Sequence, residues 1–168
     1  MSNLPPSTNA QTPSGILLSR VAELLDQGKA GEALEAIGRS RQSTAPIDNA
    51  RAVCLLRLNR PEEAVKVLRN TLFPRGSINM DESLPLAYRL NFATGLLMTA
   101  HVAGAKELLT TIPRGQDSPM VPKLREAVRQ WMRGLPVAWK LLALLGIYPG
   151  KPVVLDFPPG ELWMPEGR

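Results

Sequence analysis

Few side chains in this sequence could carry acid–base, nucleophilic or metal chemistry. Cys54 is the single cysteine and His101 the single histidine. Zinc sites, disulfides and Cys–His or Ser–His–Asp catalysis need several such groups close together, so almost all of them are excluded. Cys54 lies among apolar neighbours, where a buried and inert thiol is expected, and His101 is expected in solvent at a turn. We therefore predict no metal site and no cofactor.

The carboxylates are the other groups that could do chemistry. Two pairs are adjacent in the sequence, Glu62-Glu63 and Asp81-Glu82. Adjacent residues on a helix point apart, so neither pair can act as an acid–base couple. Acids in the first turn of a helix instead stabilise its positive end. The sequence therefore predicts no catalytic residue, and we expect that the protein is not an enzyme.

The composition fits one folded unit of mildly basic charge. Of the 168 residues, 44% are hydrophobic and 21% are charged, which is an ordinary globular mixture and excludes a wholly disordered chain. Twenty Lys and Arg residues against 15 Asp and Glu give a net charge of +5. This charge is spread along the chain, whereas a nucleic-acid site needs clustered basic residues. No nucleic-acid partner is therefore predicted.

Helical spacing dominates residues 15–112, where apolar side chains recur three and four residues apart. Three stretches in this region can be overlaid on one another, namely residues 24–37, 55–68 and 96–109. Each overlay places an alanine where a second helix would cross the first, at Ala33, Ala64 and Ala105. Residues 74–81 supply an insertion loop before the third unit. The pattern predicts three helical hairpins.

The stretch Leu58-Asn59-Arg60-Pro61-Glu62-Glu63-Ala64 is the closest to a known repeat pattern. Helix–turn–helix units of this period, with Gly or Asn at the turn and a small residue at the crossing, resemble tetratricopeptide repeats. The resemblance implies an all-α, TPR-like array of three antiparallel helical hairpins over residues 14–113. An irregular helical bundle is the alternative.

In such an array the first helices of the hairpins line a concave face, which the resemblance implies is the binding surface. Transferred residue by residue, this face consists of Leu18, Ala22, Leu25, Asn49, Val53, Leu56, Arg57, Leu90, Thr94, Leu97 and Met98. Most of these residues are apolar, so we predict a groove that holds a peptide or helix from a protein partner of unknown identity. The alternative is that the chain's own C-terminal helix fills this groove.

Residues 114–148 are predicted to form C-terminal capping helices. Ser118-Pro119 starts an amphipathic helix, residues 134–136 end it, and residues 137–145 form a short helix that is apolar nearly all round. Such a helix must be covered, and packing over the third hairpin is the favoured account. An interfacial membrane anchor through residues 129–148 and a homodimer contact are the alternatives.

The two ends of the chain are predicted to lack helices. Residues 1–13 are expected to be a flexible polar arm, and they lack the features of a secretory signal, so a cytoplasmic chain is expected. Residues 149–168 are expected to form an extended, proline-rich tail. Because this tail carries large apolar groups such as Phe157 and Trp163, docking on its own domain is favoured over a free motif for another protein.

These expectations combine into a functional hypothesis. The sequence predicts a non-enzymatic protein-interaction module, an adaptor or scaffold that holds a peptide or helix in an apolar groove. Two alternatives stay open. One is a TPR-type bacterial secretion chaperone for hydrophobic segments, and the other is a peripheral membrane-associated protein that acts through residues 129–148.

Overall fold

The computed structural model describes residues 12–73, 77, 79–112 and 118–164. This part of the chain contains eight α-helices and no strand, which confirms the all-α prediction. The helices are α1 (Pro13–Asp26), α2 (Ala30–Ser40), α3 (Ala45–Arg57), α4 (Pro61–Leu72), α5 (Leu86–Met98), α6 (Val102–Thr111), α7 (Met120–Arg133) and α8 (Val137–Leu144). Residues 1–11 of the predicted arm, and part of the predicted loop 74–81, lie outside the described residues.

Local sequence signals start two of these helices. Thr12 caps α1, because its side chain accepts a hydrogen bond from the Gly15 amide at 3.1 Å. Pro61 opens α4, where a missing N–H has no consequence, and two glutamates follow it in the first turn. The Arg60 guanidinium holds the pKa of the Glu63 carboxyl below its usual range through hydrogen bonds at 2.6 and 2.7 Å.

The turns between α1 and α2, α3 and α4, and α5 and α6 share one geometry. Each contains one residue with positive φ, which is Gly28 at 73°, Asn59 at 56° and Ala100 at 63°. The next amide in each turn donates to a carbonyl five positions earlier, in the pairs Lys29 to Leu24, Arg60 to Leu55 and His101 to Leu96. This is the Schellman arrangement that satisfies free carbonyls at a helix end. The three overlaid stretches therefore turn at equivalent positions.

Small residues allow the hairpins to pack closely. α2 contacts α3, α4 contacts α5, and the first helices of neighbouring hairpins, α1 with α3 and α3 with α5, also meet. Ala33, Ala64 and Ala105 are fully buried, so the prediction of buried crossing alanines is confirmed. Gly95 brings α5 so close to α4 that an added Cβ would lie 2.7 Å from Cγ2 of Val65.

The two C-terminal helices behave differently from each other. α7 packs on α5 and α6, and it buries five residues there. α8 has one buried residue, Ala143, so the expectation that residues 137–145 are covered is wrong. Tyr148, which follows α8, contacts both neighbouring helices: it packs on Trp131 of α7 and accepts a hydrogen bond from Lys106 Nζ of α6 at 2.7 Å.

Overfilling a crossing position should destabilise the array. We expect Ala64→Leu to lower the free energy of unfolding by about 1–3 kcal/mol, because the added atoms have no space between α3, α4 and α5. Chemical denaturation measures this change. Ala103→Leu, at an exposed position of α6, is the matched control and should change stability little. Equal stability of wild type and Ala64→Leu would contradict close packing at the crossing.

Removing the unfavourable backbone conformation in the turn between α5 and α6 should stabilise the protein. Ala100 adopts a positive φ that costs an L-residue about 1–2 kcal/mol, whereas glycine adopts it freely. We therefore expect Ala100→Gly to raise the unfolding free energy by about 1 kcal/mol in the same assay. Ala36→Gly, within α2, should lower it by a similar amount. A decrease for both variants would show that the turn is not strained.

Candidate functional site

The predicted groove residues lie on the first helix of each hairpin. α1 carries Leu18, Ala22 and Leu25, α3 carries Asn49, Val53, Leu56 and Arg57, and α5 carries Leu90, Thr94, Leu97 and Met98. Eight of these eleven residues are buried, and Ala22, Arg57 and Met98 are partly exposed. Arg57 Nη1 donates to the Leu25 carbonyl at 3.3 Å, so this cation joins α3 to the end of α1. The face is therefore largely closed.

The chain's own tail closes part of the groove. Residues 149–164 are extended and run along α5 in the opposite direction to the helix. Near the start of this segment the Val153 amide donates to the Leu97 carbonyl at 2.9 Å, and the Val153 side chain is buried. Near its end the Trp163 ring packs edge-on against Tyr88, with ring centres 5.8 Å apart. The favoured prediction, docking of the tail on its own domain, is confirmed.

Asn91 holds the tail by its backbone. Its Nδ2 donates to the Glu161 carbonyl at 2.8 Å, and its Oδ1 accepts from the Glu161 amide at 2.7 Å. The same Nδ2 donates to Asn49 Oδ1 at 2.9 Å. Both asparagines are fully buried, where polar side chains need such partners. Because these bonds involve only the tail's main chain, they do not depend on the side chain at position 161.

Gly160 lets the tail pass directly over α3. Its φ is +86°, and an added Cβ would lie 3.2 Å from Val53 Cγ1 and 3.3 Å from Leu56 Cδ1. Both contacts are with residues of the predicted groove. Any side chain at this position is therefore disfavoured twice, by backbone conformation and by lack of space.

Other tail side chains contact helices on either side of the groove. Lys123 Nζ of α7 lies 5.9 Å from the centre of the Phe157 ring. Ser118 Oγ, just before α7, donates to Glu161 Oε2 at 3.1 Å. Leu162 packs against the apolar cluster that α1, α2 and α3 form. The tail thus links α7 to the opposite end of the helical array.

Two features of this site were missed by the sequence analysis. The groove is occupied in part by an extended segment, whereas the sequence analysis considered a C-terminal helix there; the start of α7 does lie beside Ala22, Leu25 and Arg57. Asn91 and Tyr88, which contact the tail, were not among the predicted groove residues. Asn91 stands in the otherwise apolar run Leu90-Asn91-Phe92-Ala93 and is buried. An amide within such an apolar run was the signal in the sequence that could have identified Asn91 as a site residue.

A part of the groove beside the tail is unfilled. A pocket of about 450 Å³ lies between α1, the start of α7 and the end of the tail. Ala22, Leu25 and Arg57 form one side of it, and Lys123 and Glu161 lie on another. Partly exposed groove residues therefore remain reachable from solvent while the tail is bound.

The side chains considered above for nucleophilic or metal chemistry are not brought together at this site. Cys54 is fully buried on α3, as expected, and desolvation raises the pKa of its thiol to about 12. His101 is exposed at its turn, with Nδ1 3.0 Å from Thr99 Oγ1. Within the described ranges, no three His, Cys, Asp or Glu side chains come together in a way that could hold a metal ion.

Comparison of the chain with protein-family models, with curated proteins and with solved structures gave no match. The resemblance to tetratricopeptide repeats therefore stays a prediction that rests on the residues themselves. Among the described helices, none has both the length and the apolar character needed to cross a bilayer.

Adding a side chain at Gly160 should loosen the tail. We expect Gly160→Ala to lower the unfolding free energy by about 1–3 kcal/mol, because alanine resists positive φ and its Cβ would press on Val53 and Leu56. Gly150→Ala is the control, since nothing lies within 4 Å of an added Cβ there. Chemical denaturation compares the two variants. An equal effect of both would contradict the close contact at Gly160.

Proposed function

We propose that this protein is a non-enzymatic interaction module, an adaptor or scaffold whose groove binds extended peptides by their backbone. The observation that supports this most is the pair of hydrogen bonds from the Asn91 side chain to both backbone groups of Glu161. A carboxamide that pairs with an amide and a carbonyl of one residue suits any peptide in an extended conformation. On this proposal the tail is the groove's resident ligand.

The side-chain contacts indicate what kind of peptide would fit. Backbone pairing supplies affinity in such grooves, and pockets for individual side chains supply specificity. The position of Gly160 takes a residue without a side chain, and the position of Trp163 takes an aromatic ring against Tyr88. The position of Val153 takes a buried aliphatic group. A partner segment should therefore present glycine followed three residues later by a large aromatic residue.

The tethered tail sets how strongly a partner must bind. A segment on a short linker acts at an effective concentration in the millimolar range. If the empty groove binds tail and partner peptide alike with Kd ~10 μM, ~1 mM of tethered tail raises the partner's apparent Kd about 100-fold. A partner must therefore bind more tightly than the tail, or act after the tail has left.

Competition between the tail and a free peptide tests this function. A fluorescein-labelled peptide of residues 151–164 is titrated with full-length protein, and anisotropy reports binding. We expect Gly160→Val in the protein to bind this peptide at least tenfold more tightly than wild type does, because its own tail is weakened. The matched protein control, Gly150→Val, should bind like wild type.

A second peptide keeps the test independent of protein stability. The same peptide carrying Gly160→Val should bind the tail-weakened protein at least tenfold more weakly than the native peptide does. Circular dichroism shows whether each protein variant is folded. Absence of native-peptide binding to a folded, tail-weakened protein would overturn the proposal and leave the tail as a purely structural strap.

A further inference from the structure

α8 presents an apolar stripe that no other part of the described chain covers. Six of the ten exposed large hydrophobic residues among the described positions lie on α8 or directly after it. Val137, Leu141, Leu144 and Leu145 share one helix face, since residues four, seven and eight positions apart lie on one side of a helix. They are between 61% and 82% exposed, whereas Ala143 on the opposite face is buried. The stripe therefore points away from the protein.

The stretch that contains this stripe is basic. Lys140 lies three residues after Val137 and four before Leu144, so it flanks the stripe on the helix surface. Residues 127–155 include four basic side chains and no acidic one. Glu126, directly before this stretch, pairs with two of these basic residues on α7 and compensates one charge. An anionic surface therefore complements the region around α8.

We infer that α8 docks flat on a membrane surface that contains anionic phospholipid. A short helix with an apolar stripe and a flanking cation places its apolar groups at the boundary between headgroups and acyl chains. Lys140 can extend its ammonium group toward lipid phosphates while its methylene groups stay on the apolar side. This surface is separate from the groove.

A second copy of the chain fits the stripe less well. The stripe spans two helical turns, an area of about 12 Å by 10 Å, whereas each partner in a stable dimer buries ~800 Å². In a twofold dimer the stripe would also face itself, which brings both copies of Lys140 to one apolar contact. Residues 127–155 hold no acid that could pair with them.

Vesicle co-sedimentation of the full-length protein tests this inference. Vesicles of phosphatidylcholine alone are compared with vesicles that contain about 30% phosphatidylserine, at low and high salt. We expect at least tenfold tighter binding to the anionic vesicles at low salt and a marked loss at high salt. Leu144→Gln combined with Leu145→Gln should weaken binding at least tenfold. Lys140→Gln should weaken it about fivefold, the effect of one basic residue near such a surface.

Matched controls separate docking from general effects on the protein. Ile16→Gln removes an apolar residue that is 62% exposed on α1, and Lys66→Gln removes an exposed lysine on α4. Neither should change vesicle binding. All α8 variants should melt like wild type, because the substituted side chains are exposed.

Three results would overturn the inference. One is equal binding to both kinds of vesicle, and another is equal binding by wild type and the α8 variants. The third is a dimer, seen by analytical ultracentrifugation, that the Leu144→Gln and Leu145→Gln double variant dissociates while no protein binds vesicles. That last result would assign the stripe to a second copy of the chain.

Discussion

The buried amides of Asn49 and Asn91 form the contact on which the rest of this arrangement depends. Through them α3, α5 and the tail backbone at Glu161 share one connected set of hydrogen bonds. A buried amide without its partner destabilises a protein by about 1–3 kcal/mol. The tail supplies two of the three hydrogen bonds of the buried Asn91 side chain, and for this reason the tail and the hairpins stabilise each other.

The turns and the buried crossing alanines could be predicted from the sequence because they depend on residues that are close together in the chain. Gly28 and Asn59 are residues that accept positive φ, so the turns after α1 and α3 could be placed. Ala100 is not such a residue, and that turn was found only by overlaying the third stretch on the other two. The buried alanines followed from the same overlay.

The site could be predicted only in part, because its geometry joins residues that are distant in sequence. Apolar groups in the tail indicated docking, but not which helix the tail would follow. The role of Asn91 depends on Glu161, 70 residues later, so no spacing rule could reveal it. The coverage of α8 was wrongly predicted for a similar reason. An apolar helix is buried only if the path of the chain places it against the body, and helical periodicity does not specify that path; in α8 only Ala143 is buried.

The two apolar surfaces of the protein differ in how far the chain covers them. The groove between the first helices is lined by buried residues and is closed in part by the protein's own tail. The stripe on α8 is exposed, and Ala143 is that helix's one buried residue. The protein therefore covers one apolar surface in part with its own chain and leaves a second apolar surface exposed.

The path of the tail also means that the groove is synthesised before the segment that occupies it. α5, which carries Asn91, leaves the ribosome before Glu161 has been added. At about 5–20 residues per second, the intervening 70 residues take roughly 4–14 s to synthesise. Throughout that interval the groove lacks the tail, so the Asn91 side chain keeps its hydrogen bond to Asn49 but lacks both of its bonds to Glu161. The nascent chain is thus a form of the molecule whose groove stays open until residues 149–164 have been synthesised.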